Sequence, residues 1–182
     1  LKTDDDEPLN VVHRDVSPQN VMVSFNGEVK LIDFGLAAST MKTEHTAAGS
    51  IMGKLAYMAP EQLREEKLDG RCDLFACGVM LYELLVGRRP FRGDHALSIL
   101  EAVANDNPVR PRDIDRSVPL DLETICLKCL EKDPADRYQS ADELAEALLA
   151  SSVADKWDNR AAKRWWTEHK GQGAGRITLA AS

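Results

Sequence analysis

The sequence predicts a mainly α-helical fold that opens on one small β-hairpin. Three observations carry this. Val21, Met22 and Val23, then Val29, Leu31 and Ile32, make two short β-type runs, and between them Asn26 and Gly27 suit the positive φ angles of a tight turn. Residues 70–86 are apolar on nearly every side, the pattern of a helix buried in the middle of a domain. Ser140 precedes Glu143 by three residues, ahead of an apolar face of Leu144, Ala147 and Leu148, which is the spacing of a capping box.

In chain order, an acidic opening from Asp4 to Glu7 leads into Val11, Val12 and the polar loop His13 to Gln19. The hairpin comes next. From Gly35 to about Ala56 the residues are small and hydroxylated and hold neither the helical nor the strand period, so a long loop is expected. Loops of that length inside compact domains are usually functional. The central helix, with Leu74, Phe75, Val79, Leu81, Leu84 and Leu85, should end at Gly87. A second helix should start near Asp94 and carry Leu97, Ile99, Leu100 and Val103; a third should run from about Leu120 to Leu130, stopping before Pro134; a fourth opens at Ser140. Residues 151–182 read as a tail: a short helix around Trp157, Trp165 and Trp166, then a flexible Gly-rich end.

With 182 residues, 43% of them hydrophobic, the chain is sized for one domain with a real core. A formal net charge of −7 argues against a non-specific binder of nucleic acid or anionic membrane, either of which needs a basic face. No apolar run reaches the roughly 18 to 20 residues of a bilayer span, and the opening lacks a signal-peptide layout, so the chain reads as cytoplasmic, with a membrane-tethered parent left open. Cys126 and Cys129 have a zinc-like gap, but they and Cys72 and Cys77 fall in apolar helical segments, which favours core thiols. The first residue is Leu1 rather than Met, so a non-standard start or a segment of a longer gene is expected.

Three motifs follow one another: HRDVSPQN at His13 to Asn20, IDFG at Ile32 to Gly35, and YMAPE at Tyr57 to Glu61. In this order, with a hairpin between the first two and a long loop between the second and third, they resemble the protein kinase family. The resemblance covers roughly Asn10 to Leu149. It implies a partial kinase domain over residues 1–150 that holds the C-terminal lobe and lacks the N-terminal lobe. The implied activity is transfer of the γ-phosphoryl group of ATP, with Mg²⁺, to a protein hydroxyl, Ser/Thr by Pro18 and MAPE.

Roles are implied with it. Asp15 orients the attacking hydroxyl and accepts its proton, Asn20 and Asp33 hold the metal, and Met22 lies under the adenine ring. Arg14 reads a phosphate on the activation loop, whose candidate acceptors are Ser39, Thr40, Thr43, Thr46 and Ser50. Glu61 and Arg137 resemble the buried ion pair that ties the activation segment to the base of the lobe. Asp73 resembles the residue that accepts backbone hydrogen bonds from the HRD loop.

Two positions depart from the family. Ser17 stands where the Ser/Thr branch usually carries a phosphate-touching Lys, and Lys54 follows Gly53 where that branch usually has Thr. We expect an exchange, with Lys54 supplying the charge and Ser17 the hydroxyl in contact with it; the pattern resembles one branch of bacterial kinases. No Gly-rich phosphate loop, ATP-gripping Lys or hinge precedes His13. The expected partners are therefore the missing N-terminal lobe and a protein substrate, with part of the 70–86 helix left uncovered. The alternative is a non-catalytic half-kinase remnant that acts as a protein-interaction module.

Overall fold

The computed structural model describes residues 11–25, 27–34, 53–154 and 158–169. Strands β1 (Val21–Val23) and β2 (Val29–Leu31) pair antiparallel, with Val21 opposite Leu31 and Val23 opposite Val29. β-branched residues fit this pleated surface. Gly27 takes φ 84°, a left-handed angle that costs glycine nothing, and its N–H donates to the Ser24 carbonyl at 2.9 Å. Asn26 lies outside the described residues.

Among the described residues seven helices follow: α1 (Pro60–Leu63), α2 (Arg71–Val86), α3 (Ala96–Asn105), α4 (Pro111–Ile114), α5 (Leu120–Cys129), α6 (Ala141–Leu149) and α7 (Asn159–His169). Two 3₁₀ turns, Pro18–Asn20 and Pro134–Asp136, each begin on a proline, whose fixed φ suits a first helical position. The fold is thus mainly α with a single hairpin, as the sequence predicts.

Helix α2 runs through the centre. Its Phe75, Val79 and Tyr82 are fully buried in a core shared with Val16, Tyr57, Phe91, Val103 and Cys126. Its Leu74 joins a second cluster with Leu122, Ile125, Tyr138 and Leu144. Each such side chain contributes roughly 1.5–3 kcal/mol by leaving water. At the crossing of α2 and α5 a Cβ on Gly78 would lie 2.5 Å from the Cys129 Cβ, so only glycine lets the helices come this close. Gly87 closes α2 at φ 71° and donates to the Glu83 carbonyl, a left-handed cap.

Two details correct the sequence reading. The long irregular segment was expected to reach Ala56, but residues 53–55 form a helical turn, because Leu55, Ala56 and Tyr57 are drawn into the core. At α6 the Ser140 hydroxyl accepts from the Glu143 N–H at 3.1 Å, yet the Glu143 carboxylate takes the N–H of Gln139 rather than that of Ser140. The reciprocal arm of the box reaches one residue further back.

All four cysteines are free thiols, three of them buried. Burial pushes the Cys72 and Cys129 thiols up to about 12 and Cys77 up to about 11, and raises Cys126 further. Among the described residues no helix is long and apolar enough to cross a membrane.

Helix α7 returns to the hairpin. The Trp166 indole donates to the Ser24 carbonyl at 3.1 Å and meets Phe25 edge-on at 5.2 Å. Among the described residues, exposed apolar side chains gather on the hairpin and its flanks, at Met22, Val23, Phe25, Val29, Ile32 and Phe34, while those of the helical base, Leu84, Leu97, Val109, Leu120 and Leu149, are spread over separate elements.

Candidate active site

The catalytic-loop segment is suspended from α2. Both carboxylate oxygens of Asp73 accept backbone N–H bonds, from His13 at 2.7 Å and from Arg14 at 2.8 Å. Arg14 sits at φ 66°, an unusual angle for a side-chain-bearing residue, and these two bonds hold the turn there. His13 is buried and ties the loop to the hairpin. Its Nδ1 accepts the Asp15 N–H at 3.3 Å, so its Nε2 is the donor to the Ile32 carbonyl at 2.9 Å, and its ring lies 4.7 Å from that of Phe34.

This scaffold presents the Asp15 carboxylate to two donors at one oxygen. Lys54 Nζ lies 2.7 Å from Oδ2, and Asn20 Nδ2 donates to the same atom at 3.0 Å. Asn20 Nδ2 also donates to the Asp15 carbonyl at 2.7 Å, which commits the amide nitrogen and leaves Oδ1 for another partner. The Lys54–Asp15 pair is partly exposed, the lysine side chain at 43%, and pairs of that kind are worth about 0–1 kcal/mol. The ammonium can therefore change partners at small cost.

The expected contact between Lys54 and Ser17 is not formed. Ser17 is 1% exposed, and its hydroxyl has no hydrogen-bond partner among the described residues. The side chain is turned under the loop at the head of the Pro18–Asn20 turn, whereas Lys54 reaches over the loop to Asp15.

The hairpin brings Asp33 to Asn20. The Ile32 N–H donates to the Asn20 carbonyl at 2.9 Å, which extends the ladder by one pair and sets Asp33 next to it. Asp33 adopts φ 62°; it is exposed, and its carboxylate makes no hydrogen bond to any described residue. Met22, 54% exposed, stands on β1 opposite Lys30. The described residues hold no group of three or more His, Cys, Asp or Glu side chains arranged for a metal. One open carboxylate and one open amide oxygen nevertheless suit Mg²⁺, which keeps water and phosphate oxygens and needs only one or two protein carboxylates.

Away from the reacting end, Glu61 and Arg137 form a buried two-pronged pair at 2.7 and 2.8 Å. The other three guanidinium donors go to the carbonyls of Arg71, Glu131 and Lys132, so all five are used. The Arg14 side chain is exposed, and its candidate phosphate acceptors Ser39, Thr40, Thr43, Thr46 and Ser50 lie outside the described residues.

Sequence reasoning missed three connections. Gln62 accepts the Ala59 N–H with its amide oxygen and donates to the Arg14 carbonyl, joining the activation segment to the catalytic loop. A glutamine in the first turn after Pro60 was the available signal. Tyr57 donates a short hydrogen bond to Glu83, and Arg89 lies over the Tyr57 ring with its Nε 3.7 Å from Glu83. Buried Glu123 takes Arg110 at 2.7 Å and the Arg112 N–H at 2.7 Å.

One lobe thus brings together a loop aspartate held between an amide and an ammonium, an open aspartate across a hairpin, and a helical base tied by a buried arginine. Residues 8–150 match the protein kinase domain model, and the chain belongs to that family. It is 44% identical over 142 residues to Tyrosine-protein kinase MasK of Myxococcus xanthus, covering 78% of this chain and 22% of that protein. It is 37% identical to Serine/threonine-protein kinase PknB of Mycobacterium leprae over 76% of this chain and 22% of that one, and 38% identical to Serine/threonine-protein kinase PknL of Mycobacterium tuberculosis over 80% and 36%. The chain therefore spans between about a fifth and about a third of the length of these curated bacterial relatives.

Proposed function

We propose that this chain supplies the catalytic loop, metal-side aspartate and substrate-binding base of a bacterial serine/threonine protein kinase. The observation that carries the reading is the Asp15 carboxylate, fixed by Asn20 and Lys54 on a loop suspended from Asp73. Asp15 is placed to orient a substrate hydroxyl and take its proton as the new oxygen–phosphorus bond forms and ADP leaves. Asn20 and Asp33 would hold Mg²⁺ through Oδ1 and the open carboxylate; when bound, the ion neutralises charge on the phosphate oxygens.

Lys54 takes the cationic role in this reading. Its weak, partly exposed pair with Asp15 lets the ammonium move to the transferred phosphate as charge develops there. The apolar hairpin surface around Met22, Val23, Val29 and Ile32 is where a nucleotide-binding N-terminal lobe would sit, with Met22 facing the base.

The test is phosphotransfer by the full-length protein carrying this chain, with Mg²⁺ and ATP. Asp15→Asn should abolish it, and Lys54→Met should lower kcat at least tenfold with little change in the KM for ATP. A Lys54→Met protein of unchanged kcat would remove Lys54 from the chemistry. One relative is named for tyrosine and others for serine/threonine, so the phosphorylated acceptor must be identified. Phosphotyrosine as the sole product would overturn the serine/threonine assignment.

A further inference from the structure

The segment just past α2 delivers an arginine to the loop that carries Lys54. Gly87 turns the chain back on itself at φ 71°, and Phe91, 2% exposed, stacks on Phe75 at 5.9 Å with the rings 6° from parallel. Between these two fixed points Arg89 has little freedom. Its guanidinium lies over the Tyr57 ring at 5.4 Å, and its Nη2 and Nη1 come 3.7 and 3.9 Å from where a Cβ on Gly53 would be. The Glu83 carboxylate is engaged by the Tyr57 hydroxyl and meets Arg89 only at 3.7 Å, beyond hydrogen-bond distance. The guanidinium is thus held in place by the Tyr57 side chain and the Glu83 charge, with about a third of the Arg89 side chain still open to solvent. Arg88 and Arg92 beside it are exposed and add to the positive field.

We propose that Arg89 reads an acidic side chain on the protein substrate, close to the accepting hydroxyl. This rests on the kinase reading above and adds the substrate class. Gly53 and Lys54 are adjacent, and Lys54 reaches Asp15, so Arg89 lies on the order of 10 Å from the reacting carboxylate by the reach of one residue and a lysine side chain. An extended peptide advances about 3.3 Å per residue, which places the recognised acid two or three residues from the acceptor. A planar fork offers five N–H donors, more than Tyr57 and Glu83 engage, and suits a carboxylate better than a point charge would. Discrimination also works by exclusion, because a basic substrate residue at this position would meet a fixed cation.

The test is peptide binding to the full-length protein carrying this chain, followed by fluorescence anisotropy without nucleotide. The labelled peptides share one sequence around a serine and carry Asp, Ala or Lys two or three residues to either side. The Asp peptide should bind about fivefold tighter than the Ala peptide, equivalent to about 1 kcal/mol, and the Lys peptide weaker than both. Arg89→Ala should erase the preference for Asp and, by leaving Glu83 without its cation, favour Lys; Arg89→Lys should keep part of the original order. Equal binding of the three peptides, binding of none, or an Asp preference that survives Arg89→Ala would each overturn the proposal. Because no phosphate is transferred in this assay, a failure of the kinase reading shows up separately, as absent phosphotransfer.

Discussion

The hairpin and the helical base are written in similarly apolar sequence, and they dispose of it in opposite ways. In the base, Phe75, Val79, Val103 and Cys126 are fully buried, and even the charges are enclosed, with Arg137 using five donors on five acceptors. In the hairpin, Met22, Val23 and Val29 lie largely in solvent, and among the described residues the two three-residue strands pair only with each other. Two-stranded ribbons are marginal alone, so this one depends on what holds it from outside: His13 at one end and Trp166 at the tip. The base buries its apolar residues in two clusters of its own, and the described hairpin leaves most of its own exposed.

The contrast can be broken most strongly at Arg137. Arg137→Met should cost about 3–5 kcal/mol in denaturant unfolding, because Glu61 is left buried without its partner. Gly78→Val should cost about 1–3 kcal/mol by the same measurement, by forcing α2 away from Cys129. Smaller and pH-dependent is the effect at Lys132, whose ammonium lies 3.9 Å from the Phe91 ring centroid and donates to the Val103 carbonyl. Burial holds Lys132 down at about 8 against an ordinary 10.5, so between these values the unfolded chain binds more protons than the folded one, and stability gains as pH rises through the window. The raised cysteine thiols pull the other way above about pH 9. The difference between wild type and Lys132→Met, followed by unfolding at a series of pH values, isolates the lysine: the variant's advantage should be full below pH 8 and shrink as pH rises towards 10.5. The smallest effect is expected at Val29→Thr, within about 0.5 kcal/mol in this chain because Val29 is exposed. A larger loss in a protein that also carries an N-terminal lobe would show that lobe covering the hairpin.

The features legible in the sequence were local ones. Asn26-Gly27 marked the turn, the run from 70 to 86 marked α2, and Ser140 marked the start of α6, because each signal and its structure lie within a few residues. The missed elements had no such span. Helices α1 and α4 are four residues each, too short to show a period. Glu123 binds Arg110 and Arg112 across a turn, and nothing in its helical surroundings marks it as buried. At the site the motifs supplied Asp15, Asn20 and Asp33 as candidates, and Lys54, expected to exchange roles with Ser17, pairs with Asp15. The fate of Ser17 was not legible, because whether a hydroxyl faces the cleft or the core depends on packing beneath the loop.

The four thiols give the molecule a chemical clock. Alkylating reagents attack thiolates, and a thiol held at about 12 is almost wholly protonated at neutral pH, as well as shielded by the helices around it. Cys126 and Cys129 should label only when the α2–α5 crossing opens, Cys72 when the catalytic loop lifts from the start of α2, and half-buried Cys77 somewhat sooner. Counting labelled cysteines over time would then show whether the base lets go of its core in one step.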